Sequence, residues 1–134
     1  MNTMQQEFDA VVTHLYTQGK PATDRNSRGV GPGCYYRING LSCAVGCRIP
    51  DEIYNPQMDQ EAGDGGTGVH ALLRRFGYLL PSELSVYVGM FEQLQYVHDT
   101  PSNCGADGNF DLAKLERNLS NVATKFGLTL TIPQ

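Results

Sequence analysis

Much of this sequence is defined by what is scarce in it. It has no tryptophan, three histidines and no apolar run close to the ~20 residues that a helix needs to cross a bilayer. Its first residues lack the basic, then apolar, then small-residue pattern of a secretory leader. A chain kept in the cytosol, with no membrane partner, is the expectation. Charge is sparse as well: Asp and Glu outnumber Lys and Arg by 14 to 10, for a net charge of −4. That is too little positive charge for the usual nucleic-acid footprint and too little negative charge for a DNA mimic. No internal repeat or composition break divides the chain, so residues 1–134 read as one domain. At this length, roughly two thirds of the unfolded surface can be buried in one core.

The small net charge hides an asymmetry. Residues 1–50 carry five basic and three acidic groups, whereas residues 51–134 carry five basic and eleven acidic ones. Asp51, Glu52, Asp59, Glu61 and Asp64 follow one another with no basic residue between them.

The most informative stretch is residues 34–50, CYYRINGLSCAVGCRIP. Asn39-Gly40 favours a two-residue type I′ turn, because both residues tolerate positive φ. With that turn, Ile38 faces Leu41, Tyr36 faces Cys43 and Cys34 faces Val45. Alternation then places these six residues on one apolar face and Tyr35, Arg37, Ser42 and Ala44 on the other. A slip of one residue would bury Arg37, so the register is well specified. A lone hairpin is marginal in water, which requires helices to cover its apolar side.

The wording Cys34-x-Tyr36-Arg37, Cys43-Ala44-Val45-Gly46-Cys47-x-Ile49-Pro50-Asp51-Glu52-x-Tyr54 and Leu94-Gln95-x-x-His98-Asp99 resembles a family of small uncharacterised proteins of tailed phages, prophages and bacteria. The likeness runs from about residue 5 to residue 128. It departs at Arg48, where an apolar residue is usual, and in the insert around residues 100–110. The resemblance implies origin and fold, and no activity.

Helical spacing covers residues 4–18, with Met4, Phe8, Val11, Val12 and Leu15 as the stripe, a Thr3/Gln6 capping box and Gly19 at the end. Residues 20–33 read as a surface linker. Pro50-Asp51-Glu52 can open one helical turn, and Asn55-Pro56 another turn. A short helix is expected over 69–76, with Thr67 as cap. A longer one is expected over 82–98, capped by Ser82, with Leu84, Tyr87, Val88, Phe91, Leu94 and Val97 inward. A last helix follows Asp111, with Leu112, Leu115, Leu119, Val122 and Phe126 inward, and Gly127 ends it. Leu128, Leu130 and Ile132 alternate with threonines and suggest a short strand. The fold class is therefore α+β: three main helices and a short one packed on a small antiparallel hairpin.

Several constellations invite a functional reading. Cys34, Cys43 and Cys47, with Cys104, His70 or His98 as a fourth ligand, could hold zinc, although C-x8-C-x3-C is not a standard spacing. Buried core thiols explain the same cysteines, and no cofactor is required. A Cys/His hydrolase needs a histidine within reach of a thiol. Against it, adjacent helical residues do not normally face each other, so His98 reads as a helix-terminal cation rather than a partner of Asp99. The loop Gly63–Gly68 lacks the Lys-Ser/Thr of a phosphate-binding loop. Asp107-x-Asn109-x-Asp111 lacks the glycine and glutamate of a calcium loop and reads as a turn and cap.

No catalytic constellation is complete. The leading expectation is a non-enzymatic phage-type protein that binds a host or phage protein and modulates a host process or defence system. Its contact surface would comprise Tyr35, Arg37, Arg48, Asp51, Glu52 and Tyr54, because Tyr and Arg recur at interface hot spots. A zinc-stabilised nucleic-acid-associated module and a small Cys/His-dependent hydrolase are the alternatives.

Overall fold

A computed structural model describes residues 1–23, 34–59 and 68–133. Helix α1, Met4–Gln18, is bounded by local chemistry. Thr3 Oγ1 accepts from Gln6 N, and the Gln6 side chain accepts from Thr3 N, so two otherwise orphaned amides are satisfied. Gly19 closes the helix at φ 75°. Phe8, Val11, Val12 and Leu15 form its buried stripe.

Strands β1, Arg37–Ile38, and β2, Leu41–Ser42, make an antiparallel hairpin in which Ile38 pairs with Leu41. Asn39 (φ 51°) and Gly40 (φ 80°) supply the left-handed turn that asparagine tolerates and glycine, without a Cβ, adopts freely. The expected register holds, and Cys43 N donates to Tyr36 O at 3.1 Å. The hairpin is shorter than expected, however. A 3₁₀ turn at Gly46–Arg48 takes the chain away, so Cys34 lies opposite Thr23 rather than Val45. Gly46 permits that exit, since a Cβ there would fall 2.1 Å from Tyr36 O. Ala44, expected on the polar side, is fully buried, and Ile38 and Leu41 are half-exposed at the tip.

Helix α2 spans Val69–Phe76, α3 Ser82–Val86, α4 Val88–Asp99 and α5 Leu112–Phe126. Asp111 caps α5 by accepting from Ala113 N and Lys114 N, and Gly127 ends it at φ 68°. The single helix expected over 82–98 is two. Tyr87 sits between them at φ −107° and ψ 32°, with its hydroxyl donating to Asn2 O at 2.8 Å. Ser82 is the first helical residue, and Pro81 occupies the cap position. Leu112 is exposed rather than inward. The tail forms no strand among the described residues. Gln5 instead takes the part of a strand partner: its side chain accepts from Thr129 N and donates to Thr129 O, both at 2.9 Å.

Helix α4 is the centre of the packing and touches α1, α2, α3 and α5. Phe91 and Leu94 on it are fully buried, each contributing about 1.5–3 kcal/mol by transfer from water. The fold is thus the expected helix-dominated α+β domain with a two-stranded hairpin at one side. The start of the expected linker is not surface, because Ala22 is fully buried. Residues 24–33, the Gly63–Thr67 part of the glycine loop and the Thr67 cap lie outside the described residues. No described helix is long and apolar enough to cross a membrane.

Candidate functional site

Asp59, a residue for which the sequence offers no functional signal, organises the hairpin. Asn55 Oδ1 accepts from Gln57 N, and a helical turn over residues 57–59 carries Asp59 into the interior. There its carboxylate accepts from Tyr36 N at 2.5 Å, from Arg37 N at 3.2 Å and from the Tyr54 hydroxyl. Burial, and then the bond to Asp59, push the Tyr54 phenol well above its ordinary range. Beyond β2, Gln95 of α4 accepts from Val45 N at 3.1 Å. His14 Nε2 and Gln18 Nε2 of α1 both donate to Ser42 O, at 2.8 and 2.9 Å. The hairpin is therefore held from three directions by side chains that bond its backbone.

Arg37 is held by its side chain as well. Nη1 reaches Asp51 Oδ1 and Nη2 donates to Ile49 O, each at 2.5 Å, while the guanidinium lies 4.9 Å from the Tyr54 ring centre. Nε is buried and has no partner among the described residues. Arg37, Asp51 and Tyr54 line an open cleft of about 440 Å³ with His14, the hairpin tip from Ile38 to Ser42, and Cys47.

Of the six residues expected at a contact surface, Arg37, Asp51 and Tyr54 meet in this cleft. Arg48 lines a separate cleft of about 230 Å³ and is bonded through Nε and Nη2 to Glu7, whose carboxylate is buried. That carboxylate raises the Arg48 guanidinium above its usual value, against the opposing effect of burial. Tyr35 is half-buried and Glu52 exposed, and neither lines the two clefts.

No disulfide joins the cysteines among the described residues. Cys43 is fully buried, its sulfur accepts from Gly46 N, and burial pushes its pKa well up. Cys47 donates to Ala44 O, and burial raises it to about 12. Two of the expected zinc ligands are thus held as protonated thiols bonded to backbone. His70 is on α2, with its Nε2 against the Glu92 carboxylate. Cys104 pairs across an isolated bridge with Phe110.

His98 departs most from expectation. It is fully buried rather than a solvated helix-terminal cation, and it does reach its neighbour: Nδ1 lies 2.6 Å from Asp99 Oδ1. Its Nε2 accepts from Ala22 N at 2.8 Å. An amide can only donate, so Nε2 carries the lone pair and Nδ1 the proton. Gln95 Nε2 also donates to Asp99 Oδ1, at 2.8 Å. The Leu94-Gln95-x-x-His98-Asp99 wording therefore describes an architectural unit that ties α4 to Ala22 and Val45. As a base toward a thiol, His98 has its one lone pair already occupied by an amide. Comparison with family models, curated proteins and solved structures returns no match.

Proposed function

We propose that the chain is a small, cytosolic, non-enzymatic binding protein of phage or prophage type that docks on a host or phage protein through the hairpin cleft, modulating a host process or defence system. The observation that supports it is the fixation of Arg37 and Tyr54 in one wall of an open cleft whose tip presents Ile38 and Leu41. A stacked arginine and tyrosine held before binding lose little side-chain freedom on contact. Asp51 and Glu52 are exposed beside it, and Asp51 already neutralises Arg37. The matching surface is thus apolar at its centre and basic at its edge, a requirement nucleic acid does not meet.

Affinity capture from bacterial and phage-infected lysates tests this with three variants. Leu41→Asp and Glu52→Lys alter the tip and the neighbouring acidic rim, and Lys114→Glu alters an exposed position on α5. The expected result is a defined partner retained by the parent chain and by Lys114→Glu, and lost or reduced at least tenfold by the other two. No partner, or capture indifferent to Leu41 and Glu52, contradicts the reading.

A further inference from the structure

The Cys34, His98 and Asp99 side chains form a cluster that the docking surface leaves unused. One sulfur, one ring nitrogen and one carboxylate oxygen lie within 4.8 Å of one another. The cluster is assembled from two separate parts of the chain. Cys34 returns beside Thr23 in an isolated antiparallel bridge, with Tyr35 N donating to Ala22 O at 2.9 Å. His98 and Asp99 end helix α4. The donor set is mixed and borderline-soft, which suits zinc rather than magnesium or calcium. The Asp99 carboxylate is held in place by Gln95 and already lies 2.6 Å from the imidazole Nδ1. Cys34 is half-buried and the Asp99 side chain is 40% exposed, so a cation has a way in.

The geometry points to a binding site for one zinc-class divalent cation at Cys34, His98 and Asp99, whose loading releases the Ala22 amide from His98. The release follows from the tautomer. If Nε2 coordinates, its lone pair goes to the metal; if Nδ1 coordinates, its proton moves to Nε2. In both cases Nε2 ceases to accept from Ala22 N–H. The loss of that one hydrogen bond is offset by coordination of the cation to a thiolate and an imidazole. Zinc–ligand lengths of roughly 2.0–2.3 Å put neighbouring ligand atoms about 3.5 Å apart. The three ligand atoms, all within 4.8 Å of one another, adjust to that spacing on loading, with the Cys34 thiol losing its proton to solvent. The attachment of the Ala22–Thr23 segment to α4 thereby becomes metal-dependent.

The test is titration of chelator-treated full-length protein with Zn²⁺, read by calorimetry, and with Co²⁺, read by its thiolate charge-transfer absorption. The Ala22 amide is followed by NMR. The expected result is one equivalent bound, a cobalt–thiolate band and a shifted Ala22 resonance, with affinity at least tenfold lower in Cys34→Ser and in Asp99→Asn. If Asp99→Asn fails to fold, Cys34→Ser carries the comparison. Absence of stoichiometric binding, equal binding by Cys34→Ser, or binding that leaves Ala22 unmoved overturns the proposal. None of these readouts depends on the docking partner.

Discussion

Arg48 shows how a residue that looks available can already be committed. In the sequence it is a cation beside a tyrosine- and acid-rich turn. In the folded chain it forms two bonds, of 3.0 and 2.9 Å, to a Glu7 carboxylate whose side chain is 3% exposed. Removing one member of such a pair leaves a buried charge without its partner, whereas replacing both with apolar groups can be nearly neutral. Arg48→Leu is therefore expected to lower unfolding free energy by about 3 kcal/mol. Glu7→Leu combined with Arg48→Leu should recover most of that loss in chemical denaturation. A double variant no better than the single one would mean that the guanidinium stem, rather than its charge, supplies the stability.

Between elements, the junction of α1 and the hairpin depends on His14 donating to Ser42 O and on Gln18, which accepts from Ser42 N and donates to Ser42 O. Burial lowers the His14 pKa below its ordinary 6.5, and the bond to Ser42 opposes this. The folded chain then binds fewer protons than the unfolded one as pH falls below about 6.5. The contribution of His14 is complete above that pH and declines beneath it. His14→Gln should accordingly lose less stability than the parent chain between pH 7.5 and 5, measured by thermal unfolding at each pH. Equal losses would contradict this origin.

The same junctions separate what was legible in the sequence from what was not. The Thr3/Gln6 box, Gly19, the Asn39-Gly40 turn, Asp111 and Gly127 act on backbone a few residues away, and all stand where local chemistry puts them. Asp59, Gln95, Glu7 and Gln5 each also act on a partner between 22 and 124 positions distant. Polar residues in polar stretches have no periodicity to reveal such roles. The tail illustrates the consequence: alternation suggested a strand, and a single glutamine side chain supplies the bonds a strand partner would have made. Of the expected surface, Arg37, Asp51 and Tyr54 were legible as neighbours of the hairpin. The cleft they share was not, because it depends on Asp59 drawing the 50s segment against β1.

For the molecule as a whole, the account depends on the hairpin being part of the rigid body rather than a flap on it. Two strands of two residues cannot supply that rigidity alone. It comes from backbone amides bonded to side chains of other elements: Tyr36 and Arg37 to Asp59, Ser42 to Gln18, Val45 to Gln95. A cleft wall fixed in this way presents Arg37 and Tyr54 to a partner with the cost of ordering them already met during folding. Amide hydrogen exchange on the native protein measures that fixation residue by residue. The amides of Tyr36, Arg37 and Val45 should be protected to the level of the buried turns of α1 and α4. In Asp59→Asn, protection of Tyr36 and Arg37 should fall while that of Leu94 is kept. Exchange of Tyr36 and Arg37 at the rate of an open loop in the parent chain, with the helices still protected, would contradict the account.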